Sequence, residues 1–199
     1  MFVVFEGIDG AGKTTQLHML ERALAARGYR PVVVREPGST RIGEAIREVL
    51  LSPAYAEMAP ATEALLYVAA RAQAVAELVR PALAGGRPVL ADRFSASTVA
   101  YQGYGRGLDL TVLREIDRLA TGGLAPDLTI LLDLAPEEAL ARLRGNKSDR
   151  LEQETMAFYT RVREGYLELA AREGYLVLDA TLPPGELARE VLEKVLGRV

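Results

Sequence analysis

The sequence predicts an α/β fold, a three-layer sandwich in which a five-stranded parallel sheet is flanked by helices. Three observations predict it. Five short runs rich in Val, Ile and Leu lack polar alternation, as strands covered on both faces do. Helical patterns fill every interval between them, and repeated β-α alternation implies right-handed crossovers in an open sheet. The first run ends in a glycine-rich loop that opens directly into a helix.

Taken in order, strands are expected at Phe2–Phe5, Pro31–Arg35, Pro88–Asp92, Leu128–Asp133 and Tyr175–Asp179. Helices are expected at Thr14–Arg27, Ile42–Leu51, Ala61–Leu83, Ser95–Tyr101, Leu110–Ala120, Pro136–Arg144, Glu152–Arg172 and Pro184–Val195. Gly28 and Gly174 read as helix stops, and Pro136 and Pro184 as first-turn residues. The helix from Ala61 spreads its apolar residues over more than one stripe. It therefore serves either as a central core helix or as one shared between the sheet and a twofold dimer interface.

The 199 residues suit a single domain, with no repeat, linker or low-complexity tract. With 24 basic and 27 acidic residues the net charge is −3, which argues against nucleic acid held by bulk electrostatics. The absence of cysteine excludes disulfides and thiolate metal sites. The one histidine, His18, falls in the first helix and reads as a surface or packing residue. No apolar leader opens the chain and the most apolar segment is broken by charges, so neither a membrane partner nor a span is expected, and a cytoplasmic location is.

The loop after the first strand, Gly7-Ile8-Asp9-Gly10-Ala11-Gly12-Lys13-Thr14, fits G-x-x-x-x-G-K-[ST]. Backbone N–H groups of such a loop converge on phosphate oxygens at a helix N-terminus. Lys13 is expected to reach the terminal phosphates and the Thr14 hydroxyl to ligate Mg²⁺. Ligands of open α/β sheets bind beyond the carboxyl ends of the strands, so the residues following each strand come next. Asp92 ends an apolar run. Alone it reads as a helix cap; beside a phosphate loop its carboxylate is expected to face the metal. Asp133 is the better candidate for plain capping.

Phosphoryl transfer needs cations around the equatorial oxygens, and arginine suits that geometry. Arg93 follows a strand end. A second basic group, Arg142-Leu143-Arg144-Gly145-Asn146-Lys147-Ser148-Asp149-Arg150, lies between two helices, lacks an apolar stripe and reads as a lid closing over phosphates, about residues 142–151. Asn146-Lys147-Ser148-Asp149 also fits the N-K-x-D guanine-reading motif of GTPase switches. That motif should follow a buried strand, whereas here an amphipathic helix precedes it. A kinase is therefore the main expectation, and a GTPase switch the alternative from another class.

Three segments together resemble the thymidylate kinase family: Phe5-Glu6-Gly7-Ile8-Asp9-Gly10-Ala11-Gly12-Lys13-Thr14-Thr15, then Arg35-Glu36-Pro37-Gly38, then Asp92-Arg93-Phe94-Ser95-Ala96-Ser97-Thr98-Val99-Ala100-Tyr101-Gln102-Gly103. The first says only P-loop. The third matches the family's D-R-[YFH]-x-x-S-x-x-A-Y-Q pattern and is far more specific. The resemblance implies a P-loop NTPase sandwich of the nucleoside monophosphate kinase type. It also implies transfer of the γ-phosphate of ATP to dTMP with Mg²⁺ as cofactor; the homodimer expected through the helix around residues 61–83 rests on that helix's apolar pattern. Another nucleotide or a deoxynucleoside as acceptor is the alternative among kinases.

By the same resemblance, Asp9 addresses the sugar 3′-OH and the metal region, and Arg93 clamps the acceptor phosphate. Tyr67, where the family usually has Phe, stacks on thymine. Arg71 bonds the base edge; a buried arginine lacking an acceptor would be costly, which makes a ligand its natural partner. Ser97, Thr98 and Gln102 line base and sugar, Tyr101 crowds the place of a ribose 2′-OH, and Glu36 belongs to the same dTMP-binding set. Ser39 departs from the Gly common after Pro-Gly in bacterial members. Some members carry Arg at the position of Gly10 with a lid that lacks catalytic basic residues, and others the reverse; Gly10 and the basic lid put this chain with the second kind. Arg150 is the leading catalytic candidate of the lid, with Lys147 and Arg144 behind it.

Overall fold

A computed structural model describes residues 1–143, 150–151 and 153–197. Five strands, β1 Phe2–Glu6, β2 Val32–Arg35, β3 Val89–Asp92, β4 Leu128–Asp133 and β5 Leu176–Asp179, form one sheet in the order β2-β3-β1-β4-β5. Every pairing is parallel. The helices are α1 Lys13–Ala25, α2 Arg41–Leu51, α3 Pro60–Ala74, α4 Arg80–Ala84, α5 Ser95–Thr98, α6 Leu110–Thr121, α7 Pro136–Leu143, α8 Met156–Glu173 and α9 Pro184–Leu196. The predicted α/β sandwich is the observed one.

Side-chain alternation along β1 builds the core. Phe2 and Val4 meet Val75 and Val79 on one face, while Val3 and Phe5 join Leu17, Leu20 and Leu24 of α1. All four β1 residues are essentially inaccessible to water. Each such side chain contributes about 1.5–3 kcal/mol relative to remaining exposed. Burial on both faces is what removes polar alternation from the strand sequences.

The helix boundaries differ from expectation in three places. The helix predicted over Ala61–Leu83 widens into a π-helical turn at Val75–Val79 between α3 and α4. Pro81 lies just beyond it; a proline lacks the N–H for an i→i−4 bond and its ring crowds the carbonyl one turn back. The helix beginning at Ser95 continues past Thr98 as a π-helical segment, Val99–Gly105. Its glycines permit close packing, since a Cβ on Gly105 would fall 2.6 Å from the Phe158 ring. Helix α8 starts at Met156 rather than Glu152, because the Thr155 side chain accepts from Phe158 N (3.2 Å) and caps it. Gly174, with φ 71, ends it as predicted.

The sheet order brings the carboxyl ends of β2, β3 and β1 side by side. Arg93 N donates to Phe5 O (2.9 Å) and Glu36 N to Asp92 O (3.0 Å), so Gly7, Arg93 and Glu36 emerge next to one another. Among the described residues no helix is long and apolar enough to cross a membrane.

Candidate active site

The phosphate loop bends where only glycine is comfortable. Gly7, Gly10 and Gly12 have φ of 136, 83 and 91, and a Cβ at Gly7 would meet the Leu132 carbonyl oxygen at 2.5 Å. Gly10 is closed to a side chain as well: its Cβ would lie 2.7 Å from the Ala139 carbonyl oxygen of α7. An arginine there is therefore barred by backbone, in keeping with a chain that keeps its cations elsewhere. Lys13 is buried, and its Nζ donates to Ile8 O at 2.9 Å. Burial first, and Arg93 second, push its amine down to about 8 against the pull of Asp9, Asp92 and Glu6.

Thr14 Oγ1 donates to Asp92 Oδ2 at 2.5 Å, joining the loop to the end of β3. A hydroxyl and a carboxylate at this spot are hard oxygen donors of the kind that bind Mg²⁺ through few protein ligands, leaving other positions to water and phosphate. Among the described residues no cluster of three or more acidic, His or Cys side chains forms a self-sufficient metal cage. The donor set thus fits a metal shared with a nucleotide.

Arg93 lies in the left-handed region at φ 74. Its Nη1 donates to Gly7 O (2.9 Å), Ser97 Oγ (3.1 Å) and Tyr166 Oη (3.0 Å), and its Nη2 to Asp9 Oδ1 (2.5 Å) and Tyr101 Oη (3.1 Å). Tyr101 Oη in turn donates to Asp9 Oδ2 (2.8 Å). Burial by itself would raise the Asp9 carboxyl, but Arg93 and Lys13 hold it at about 2. Asp9 is therefore an anion at any physiological pH.

Two clefts open here. One of about 400 Å³ lies over the loop, lined by Lys13, Thr14 and Asp92 and by Arg35, Arg47 and Arg142. The other, about 90 Å³, is lined by Tyr67, Ser97, Thr98, Tyr101 and Gln102. They share Asp9, Glu36, Arg47 and Arg93, so the predicted phosphate site and the predicted nucleoside site adjoin. Arg47 and Arg142 were not singled out from sequence as site residues. Arg47 sits in the amphipathic α2, and Arg142, which donates to Gly10 O at 3.3 Å, belonged to a basic cluster whose members cannot be ranked without the fold.

For Arg71 the fold changes the premise and leaves the assignment to dTMP open to test. Sequence reasoning gave it a ligand because a buried guanidinium without an acceptor is costly; the fold supplies acceptors of its own. Nε donates to Glu36 Oε2 (2.7 Å), Nη1 to Thr98 Oγ1 (3.0 Å) and Asp117 Oδ1 (2.7 Å), and Nη2 to Phe94 O (3.0 Å). Four of its five N–H donors are thereby used, and the two carboxylates raise its pKa against burial. Glu36 Oε1, by contrast, is buried without a hydrogen-bond partner among the described residues, and burial pushes this carboxyl up to about 7 despite Arg71.

A carboxyl raised from 4.5 to about 7 on folding binds its proton more tightly in the native state. Its contribution to stability is present below 4.5 and lost as pH rises through about 7. The slope is on the order of 1 kcal/mol per pH unit within that window. Thermal melting against pH is expected to show a flatter profile for Glu36→Gln than for the unmodified chain over that range. Parallel profiles would contradict the assignment.

Arg150 is buried and lines neither cleft. Its guanidinium pairs with Glu63 (2.5 Å) and donates to Leu50 O (3.1 Å). Glu63 also accepts from Gln102 Nε2 (2.8 Å) and from Arg106 (3.1 Å). These donors lower the Glu63 carboxyl although burial alone would raise it. Arg144 and Lys147 lie outside the described residues. Asp133 does not cap: both its oxygens receive Arg163, at 2.7 and 2.8 Å. His18 is half-exposed beside Glu21, as a surface residue should be.

Residues 5–191 match the thymidylate kinase family profile. The chain is 56% identical to the thymidylate kinase of Desulforudis audaxviator over 198 residues, covering 98% of this chain and 90% of that one. It is 52% identical to that of Deinococcus radiodurans, covering 100% and 97%, and 46% identical to that of Trichlorobacter lovleyi, covering 100% and 98%. With a phosphate loop at the end of β1 and an adjoining cleft behind Asp92-Arg93, this chain belongs to the thymidylate kinase family.

Proposed function

We propose that this chain transfers the γ-phosphoryl group of ATP to dTMP, giving dTDP and ADP. The observation that carries the reading is the junction of the two clefts at Asp9 and Arg93 in a member of this family. An oxygen of the dTMP phosphate attacks the γ-phosphorus and the bond from that phosphorus to the β–γ bridging oxygen breaks, leaving ADP. The nucleophile is already an anion, so no general base is required. Lys13 holds the donor phosphates, Arg93 the acceptor phosphate, and Arg142, with Arg144 and Lys147, adds cationic charge around the transferring group. We assign Arg150 to tethering the lid's end to Glu63 rather than to the reacting phosphates.

Thr14 and Asp92 would hold Mg²⁺, which neutralises phosphate charge when bound. Backbone N–H groups from Gly7 to Thr14 would bind the ATP phosphates. Tyr67 offers an aromatic face to the base, and Ser97, Thr98, Tyr101, Gln102, Arg71 and Glu36 surround the nucleoside. Both substrates are charged, water-soluble nucleotides, which suits the cytoplasm.

A homodimer through α3 is supported by the apolar side chains left in water there and on the helices packed beside it. Leu65 of α3 is 56% exposed, Val112 and Leu119 of α6 are 54% and 85% exposed, and Ile42 of α2 is 47% exposed. Single exposed apolar residues are ordinary; a set on adjoining helices marks an interface. Leu65→Glu is expected to give a monomer in sedimentation velocity, and an unchanged species would count against this face.

Release of ADP from ATP should be measured with dTMP, dUMP, dCMP and thymidine as acceptors. Preference for dTMP is expected. Preference for thymidine would make the chain a nucleoside kinase, and GTP hydrolysis without any acceptor would favour a switch.

A further inference from the structure

Glu6, the last residue of β1, takes no part in the transfer itself, yet it is fully buried and among the described residues meets no cation directly. Its partners are all neutral donors: Phe94 N to Oε1 (2.8 Å), and Ser97 Oγ and Tyr166 Oη to Oε2 (2.6 and 3.0 Å). Burial raises its carboxyl, and those hydrogen bonds with nearby Arg93 act against the rise. As scaffold alone this is a poor choice, because an apolar side chain would fill the space without desolvating a charge.

Resting on the kinase reading above, we propose that Glu6 is a positioning residue that, through Ser97 and Tyr166, fixes the guanidinium of Arg93 for the acceptor phosphate. The hydrogen-bond polarity carries this. A hydroxyl has one proton: Ser97 and Tyr166, which also lie 2.8 Å from each other, direct theirs to Glu6 either both directly or one through the other, so on the side facing Arg93 their oxygens can only accept. Both do accept from Arg93 Nη1, at 3.1 and 3.0 Å. Glu6 thus orients two acceptors at once and, through Phe94 N, also holds the peptide that follows Arg93.

The result is a guanidinium held along one side. Nη1 is fixed by Gly7 O, Ser97 and Tyr166, and Nη2 by Asp9 and Tyr101. Its Nε–H has no partner among the described residues and is the donor left for a phosphate oxygen. Tyr166 was invisible as a site residue in the sequence, lying in the middle of α8 and 1% exposed. Its ring packs edge-on to Tyr101, with centroids 6.3 Å apart, which places its hydroxyl at the site while its ring belongs to the core.

Tyr166→Phe keeps the buried ring and removes only the hydroxyl; Glu6→Gln keeps shape and removes the charge. Steady-state kinetics should be measured for each substrate separately. Both variants are expected to raise KM for dTMP and lower kcat, with kcat/KM for dTMP falling about tenfold or more and KM for ATP within about twofold of the parent. A merely structural role would reduce the active fraction, lowering kcat while leaving both KM values in place; that result overturns the proposal. If Glu6→Gln does not fold, Tyr166→Phe decides alone. Parent enzyme without ATP/dTMP turnover would instead overturn the kinase reading, so the two failures are distinct.

Discussion

Lys13→Ala is expected to abolish measurable turnover while leaving the fold in place, with a loss in kcat of about a thousandfold or more. Lys13 is a cation taken out of water: its side chain is buried, and Ile8 O is its one hydrogen-bond partner among the described residues. Burial, and after it the neighbouring Arg93, push its amine down to about 8 although Asp9, Asp92 and Glu6 pull the other way. Nucleotide phosphates reverse that imbalance, and their charge grows as the phosphorus–oxygen bond to ADP breaks. Removing the amine deletes an interaction strongest in the transition state. It also removes one of the two cations that hold the Asp9 carboxyl down. The checking measurement is kcat at saturating ATP and dTMP beside a thermal melt; near-normal kcat would sink the phosphate-loop assignment.

Arg93→Lys is expected to lose about a hundredfold or more in kcat/KM for dTMP although the charge is kept. The planar fork of Arg93 serves five acceptors at once, among them Asp9, which lines both clefts, and Tyr101, which lines the smaller one. An ammonium has three donors on a flexible stem and cannot reproduce that plane. A lysine variant with parental kcat/KM would show that Arg93 supplies only charge, and would remove the basis for a positioned guanidinium.

The legible parts of this molecule were those where local chemistry and local structure coincide. The loop at Gly7–Thr14 was readable because its glycines, its Lys and its Thr are all local, with a strand before and a helix after. Asp92 and Arg93 were readable for the same reason, as the end of an apolar run. The sheet followed from apolar runs without alternation. What stayed hidden depends on contacts far apart in sequence. Asp117 reaches Arg71 across 46 positions, and Tyr166 reaches Glu6 across 160. No spacing rule carries that information. Glu6 did leave a trace: a carboxylate closing a run of otherwise apolar residues has to be buried with partners. Arg150 shows the opposite limit. Composition marked it as one cation among several near the phosphates, and only the fold turns its guanidinium toward Glu63.

Those contacts also divide labour within the cleft. Asp9 lines both clefts and is held ionised, while the Glu36 carboxyl is pushed up to about 7 with one oxygen unpartnered among the described residues. The loop thus contributes to both clefts, and uncharged Gly10 keeps α7 close enough for Arg142 to reach the loop's backbone.

Because the clefts adjoin, transfer from donor to acceptor is expected to be direct, with no phosphorylated side chain between them. ATP made chiral at the γ-phosphorus with oxygen isotopes, converted to dTDP by the enzyme, tests this. Inversion of configuration at the transferred phosphorus is the predicted result. Retention, or a product in which that phosphorus is absent from dTDP, would contradict it.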